Sequence, residues 1–204
     1  MCTWPYGERR SDWERHWQFG YFQEAMTGFE HFAAATMVGT GTPELVRNGL
    51  SVVRGIHDRY DARERNPFNE IECSDHYARA MASYAVFIAA CGFTHHGPKG
   101  EIGFAPKIRP DAFSAAFTSA TAFGVLNQTR ETTIQRNEIV VRHGSLPVRK
   151  LRFEIPEGAT ATKVSIDGVA TPFVADGARV VIALESERLL RVGDALAVRI
   201  DFRR

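Results

Sequence analysis

Almost no net charge remains on this chain, in which 25 Lys and Arg stand against 24 Asp and Glu over 204 residues. It therefore lacks the field that would hold a nucleic acid or an anionic membrane. Cysteine is scarce too, limited to Cys2, Cys73 and Cys91. An odd number of thiols in a chain too large to need staples argues against a disulfide framework, so a cytoplasmic location is expected. No early apolar run reads as a signal peptide and none approaches a membrane span, which leads us to expect a soluble protein. Repeats of fixed period and low-complexity linkers are missing as well. At 22.8 kDa the chain is long enough for one domain or two small ones with a real core.

The most informative absence is local. From Ala80 to Pro98 there is no Asp, Glu, Lys or Arg, which predicts a helix buried nearly all round. Arg79 stands at its start. A guanidinium buried there without a carboxylate would cost roughly 3–5 kcal/mol, so Glu70 or Glu72 is expected to face it. Both belong to the run from Arg65 to Cys73, where Pro67 keeps Asn66 extended. In extended backbone Glu70 and Glu72 share one side. Ser74 then caps a helix whose first turn holds Asp75. A loop carboxylate and a helix guanidinium in one cleft can grip the hydroxyls of a sugar. They can equally form a salt bridge that ties a loop to a helix.

Upstream, Met1 to Gly20 holds Trp4, Trp13 and Trp17, which pack either against a part of the protein not contained here or onto the helices that follow. Tyr21 to about Val38 reads as a helix. Glu24, Thr27, Gly28 and His31 form one stripe of it, facing either a ligand cleft or solvent. Gly39 and Gly41 end that helix. Thr42-Pro43-Glu44 starts another, which runs to about Tyr60. The buried helix from Asp75 closes at Gly92.

Beyond Gly92 the pattern changes. The runs Ile134 to Arg142, Val148 to Ile155, Lys163 to Ile166, Arg179 to Ala183 and Ala195 to Phe202 are rich in branched residues. Turn signals separate them, among them His143-Gly144-Ser145, Asp167-Gly168, Asp176-Gly177 and Val192-Gly193-Asp194. A small antiparallel sheet or sandwich is expected. A carbohydrate-binding module is conceivable for this region, but with only Phe153, Phe173 and Phe202 as aromatics structural cover is the favoured expectation. Cys73 with His76, and Cys91 with His95 and His96, have spacings like those of zinc ligands. A helix of about 15 residues would hold the two pairs roughly 20 Å apart, so no metal and no cofactor is expected.

Asn66-Pro67-Phe68-Asn69-Glu70-Ile71-Glu72-Cys73 followed by His76-Tyr77-Ala78-Arg79-Ala80-Met81 resembles the C-terminal part of family 116 of the glycoside hydrolases. That family includes β-glucosidases and the non-lysosomal glucosylceramidase. Thr27-Gly28-Phe29-Glu30, Asp58-Arg59-Tyr60-Asp61, Cys91-Gly92-Phe93, His96-Gly97-Pro98-Lys99-Gly100 and Ile102-Gly103-Phe104-Ala105-Pro106 follow in the family's order. The resemblance implies part of an (α/α)6 barrel that binds a β-glucoside. It also implies that Glu70 and Arg79 hydrogen-bond the hydroxyls of the glucose unit, with Glu24 a further sugar-binding glutamate. Met26 departs from the pattern, since many members carry tryptophan there. By the same resemblance the nucleophile and the acid/base of a retaining glycosidase lie upstream; Glu70 and Glu72 cannot readily replace them, because neighbours on one face of one segment do not flank a glycosidic bond from opposite sides. The expectation is a C-terminal fragment of such an enzyme, inactive alone and partnered by the missing upstream part of the barrel. A non-catalytic module that binds sugar or docks on a partner is the alternative. The expected fold is a mainly α N-terminal half followed by an all-β antiparallel C-terminal region. Its divisions would be barrel helices over 1–92, an irregular or extended connection over 93–130, and an antiparallel β cap over 131–204.

Overall fold

A computed structural model of the protein describes residues 26–60, 63 and 79–204. The chain divides into two compact units, Met1–Ala90 and Cys91–Arg204.

The first unit contains α1 (Thr27–Gly39), α2 (Pro43–Asp58) and the greater part of α3 (Ala80–Cys91). Gly41, at φ 73°, turns the chain after α1, and Pro43 then supplies a first-turn residue whose missing N–H costs α2 nothing. Gly49 lets α2 come close to α1: a Cβ there would sit 2.9 Å from both the Ala34 carbonyl oxygen and Val38 Cγ2. The core of this unit is correspondingly small in its side chains. Ala34, Val38 and Val86 are buried together, with Val52, Val53, Ala89 and Ala90 against them. Large apolar groups lie outside it, Phe29 being 60% exposed, Phe32 66% and Met81 90%. The predicted all-round burial of α3 is therefore not found: of Ala80 to Cys91 only Val86 and Cys91 are buried.

The second unit is built on β5 (Ile134–Glu154), a strand of 21 residues that belongs to two sheets. Its first half lies between β4 (Ala122–Arg130) and β10 (Ala195–Arg203). β3 (Ala112–Thr118) extends that sheet beyond β4, and β6 (Thr160–Ile166) with β7 (Val169–Ala170) extends it beyond β10. The second half of β5 lies between β2 (Glu101–Phe104) and β9 (Arg179–Arg191), flanked by β1 (Thr94–His96) and β8 (Val174–Asp176). The change of partners falls at Gly144, which has φ 74° and where a Cβ would lie 2.0 Å from the Thr121 carbonyl oxygen. A side chain is excluded there on both counts. Alternation aims Ile139, Val141, Leu146, Val148, Leu151 and Phe153 of this one strand into a single core. Leu196, Val198, Ile200 and Phe202 of β10 and Ile102 and Phe104 of β2 meet them there.

Several expectations are corrected here. The protein is mostly β, with three helices among its described residues, so the mainly α N-terminal half and its (α/α)6 barrel are not what the chain forms. Among the described residues strands begin at Thr94, and the irregular or extended connection expected over 93–130 supplies β1 to β4. Its Ala-Phe-Ser-Ala-Ala-Phe-Thr and Ala-Phe-Gly-Val sequences are poor in branched residues. Pairing to β5 makes them strands where propensity does not. The sheet is not wholly antiparallel either, because β2 pairs with β5 in parallel, Glu101 opposite Lys150 and Phe104 opposite Phe153. Direction between strands so far apart in sequence is fixed by the long connection and leaves no local signal. The His143-Gly144-Ser145 signal marks a change of sheet within one strand and not a turn between two.

Candidate functional site

Of the three residues expected to hold a sugar, Glu24 and Glu70 lie outside the described residues, as do Glu72, Cys73 and His76. Arg79 is described, and its side chain runs over α1 at Gly28. A Cβ on Gly28 would sit 3.1 Å from Arg79 Cδ and 3.4 Å from its Nε. Glycine at this position gives the guanidinium stem its passage.

Thr27 and His31 flank that crossing on α1, 1% and 7% exposed. Of the two settings open to the Glu24-Thr27-Gly28-His31 stripe, exposure to solvent is excluded for these two. Thr27 Oγ1 and His31 Nδ1 are buried and have no hydrogen-bond partner among the described residues. Burial of an unpaired polar atom costs on the order of 1–3 kcal/mol, so both atoms hold hydrogen-bonding capacity that the described residues do not use. Burial also lowers the His31 pKa, against the opposing influence of Glu30 and with a further push down from Arg59. His31 is thus held neutral, with one ring nitrogen able to accept a hydrogen bond. Glu30 and Arg59 form an ion pair beside it. A hydroxyl, a neutral imidazole and a guanidinium together offer donors and acceptors suited to a polyhydroxylated ligand.

The β unit carries two hollows. One, of about 330 Å³, is bounded by Thr94, Glu101, Arg152, Glu154 and Arg179. Glu101 accepts hydrogen bonds from Lys150 Nζ at 2.8 Å and Arg152 Nη2 at 2.7 Å. The Lys150 bond first, and the Arg152 bond next, hold its carboxyl down at about 2. Lys107 Nζ donates to Glu154 Oε2 at 2.9 Å. Most of the charge is spoken for, and the Glu101 cluster ties β2 to β5 across the parallel pair.

The second hollow, of about 360 Å³, lies on the outer face of the β3-β4-β5-β10-β6 sheet, with Asn127, Thr129, Arg136, Glu138, Ser165 and Arg199 among its lining. Ser114 Oγ donates to Asn127 Oδ1 at 2.8 Å and Asn127 Nδ2 to Glu138 Oε2 at 2.9 Å. On the same face Phe123 stands opposite His143, their rings stacked with centroids 4.8 Å apart. Sequence reasoning missed Phe123 because its count of aromatics began beyond residue 130. The signal was present, since Phe123, Val125, Asn127 and Thr129 alternate with inward-facing neighbours.

No family model matches the chain, and no curated protein does. Solved structures similar to it include a GH127 β-L-arabinofuranosidase from Geobacillus stearothermophilus T6, with TM-score 0.38 and 14% identity over 61% of this chain. An α-L-rhamnosidase from Dictyoglumus thermophilum is similar with TM-score 0.39 and 12% identity over 59% of this chain. Both neighbours are glycoside hydrolases, and neither match is to family 116. The chain spans 18% of the first structure and 13% of the second.

Proposed function

We propose that this chain supplies part of the substrate grip of a retaining glycoside hydrolase acting on β-glucosides, its nucleophile and acid/base being contributed by residues upstream. Arg79, Glu70 and Glu24 hydrogen-bond the hydroxyls of the glucose unit in this reading. What supports it is the ordered series of motifs from Thr27 to Pro106. The observation that carries it is the passage of Arg79 over Gly28 beside two buried polar atoms, Thr27 Oγ1 and His31 Nδ1, that have no hydrogen-bond partner among the described residues. A glucose hydroxyl that reached them would satisfy both and receive a charged hydrogen bond from the guanidinium.

The experiment is steady-state hydrolysis of an aryl β-glucoside by the native gene product and its Arg79→Ala and Glu70→Gln variants. Loss of one charged hydrogen bond, about 1.5–3 kcal/mol, lowers kcat/KM roughly 10- to 100-fold. Unchanged kcat and KM in both variants would overturn the assignment. The exposure of Phe29, Phe32, Met81 and Tyr84 favours a second reading, in which the chain is a non-catalytic module that binds a sugar or docks on a partner. Saturable binding of a glucose-configured iminosugar by a chain of 204 residues alone, monodisperse in solution, would select that reading.

A further inference from the structure

The outer face of the β3-β4-β5-β10 sheet is arranged in rows whose chemistry changes along the strands. Thr118, Phe123 and His143 form the first row, Ala116, Val125, Val140 and Ala195 the second, and Ser114, Asn127, Glu138 and Ala197 the third. At about 3.4 Å per residue the first and third rows are roughly 14 Å apart, longer than a single sugar ring. From this order we infer that the face is a binding site for a neutral oligosaccharide, separate from the Arg79 site and independent of it.

Each row has a part in this. Phe123 is 49% exposed, and its stack with His143 fixes the plane of an aromatic platform. Such a platform suits the C–H face of a pyranose. The small apolar second row leaves the way flat between platform and polar end. In the third row the bonds from Ser114 to Asn127 and from Asn127 to Glu138 set the amide's orientation. One Asn127 N–H and the Glu138 Oε1 atom remain available side by side, a donor and an acceptor matched to neighbouring hydroxyls. Glu138 is half-buried and has no cationic partner among the described residues, so beyond the bond from Asn127 its accepting capacity is not taken up among them.

The charges select a neutral glycan. Arg136 is paired with Glu131, and Arg199 holds Asp201 Oδ1 through Nη2 at 2.8 Å and Nε at 3.0 Å. With these two guanidiniums paired and Glu138 open, the polar end of the site carries a negative charge that disfavours an anionic sugar there.

The test is an amide ¹H–¹⁵N titration of the full chain with cellohexaose and, separately, laminarihexaose, alongside Phe123→Ala and Glu138→Gln. The expected result is saturable shifts at residues 123–129 and 136–140 with at least one glycan, weakened about tenfold or more by Phe123→Ala. Glu138→Gln keeps the shape and removes the charge, and is expected to weaken binding severalfold while the thermal midpoint stays within a few degrees. Shifts confined to residues 27–31 would support the helical site and overturn this one. Absence of shifts with both glycans, or shifts unaffected by Phe123→Ala, would overturn it as well.

Discussion

α3 and β5 are both apolar, and the molecule treats them differently. α3 carries no charged residue, yet Met81 is 90% exposed and Tyr84 43%. β5 alternates, placing Ile139, Val141, Leu146, Val148, Leu151 and Phe153 in the core while Arg136, Glu138, Arg142 and Arg149 face out. A strand with period two declares which face it needs covered, and the β unit supplies the cover from its own strands. A helix that is apolar all round declares a need for cover on every side, which the described residues meet only around Val86 and Cys91. The β unit is therefore complete as a core, whereas the helices present apolar surface of the kind that partners bury.

The comparison can be broken at its strong end. Phe153 is 1% exposed and meets Phe104 edge to face with centroids 5.3 Å apart. Phe153→Ala is expected to cost about 3–5 kcal/mol, read as a fall in the urea midpoint of the β unit. A change below about 1 kcal/mol would mean that this core is looser than its burial implies. In the helical unit the corresponding weak point is a contact and not a large side chain. Gly49→Val places a branched carbon against the Ala34 carbonyl and is expected to cost about 1–3 kcal/mol, with faster amide exchange in α1 and α2. Unaltered exchange there would show that the two helices do not depend on close approach.

The smallest expected effect sharpens the picture at the parallel pair. Glu101 titrates at about 2 when folded, against an ordinary value of 4.5, because Lys150 and Arg152 hold its charged form. A carboxyl lowered in this way contributes stability above its unfolded value, and that stability is lost as pH falls through about 4.5 towards 2. Glu101→Gln should flatten the dependence of stability on pH in that window and leave the profile above pH 6 parallel to that of the unaltered protein. The comparison is made by urea titrations at a series of pH values. An identical acid limb in the two proteins would remove Glu101 from the account.

Much of the β unit was legible because its later strands obey the alternation rule and their turns carry the right residues. Asp167 and Gly168 have φ 49° and 85°, and Gly177 and Gly193 are also left-handed. The end of α3 was legible too, since Gly92 has φ 55° and a Cβ there would lie 2.2 Å from the Ala105 carbonyl oxygen. β3 and β4 were not, because their Ala, Gly and Asn residues carry little strand preference of their own and take their form from the strands beside them. The exposure of α3 could not be read from composition, which states what a helix needs and not whether the need is met. At the candidate site the sequence singled out Arg79 and the stripe containing Thr27, Gly28 and His31. Their convergence depends on a tertiary contact, the Arg79 stem lying on Gly28, that no local pattern announces.

The central claim is that this chain grips a sugar for catalytic carboxylates that lie upstream of it. The intact mass of the native product in its source cells tests this most directly, captured with an antibody to the segment Gly97–Lys99 and its neighbours. The account predicts a product several times heavier than 22.8 kDa that hydrolyses an aryl β-glucoside. A native product of 22.8 kDa would contradict it and would leave sugar binding or docking without catalysis as the function of the chain.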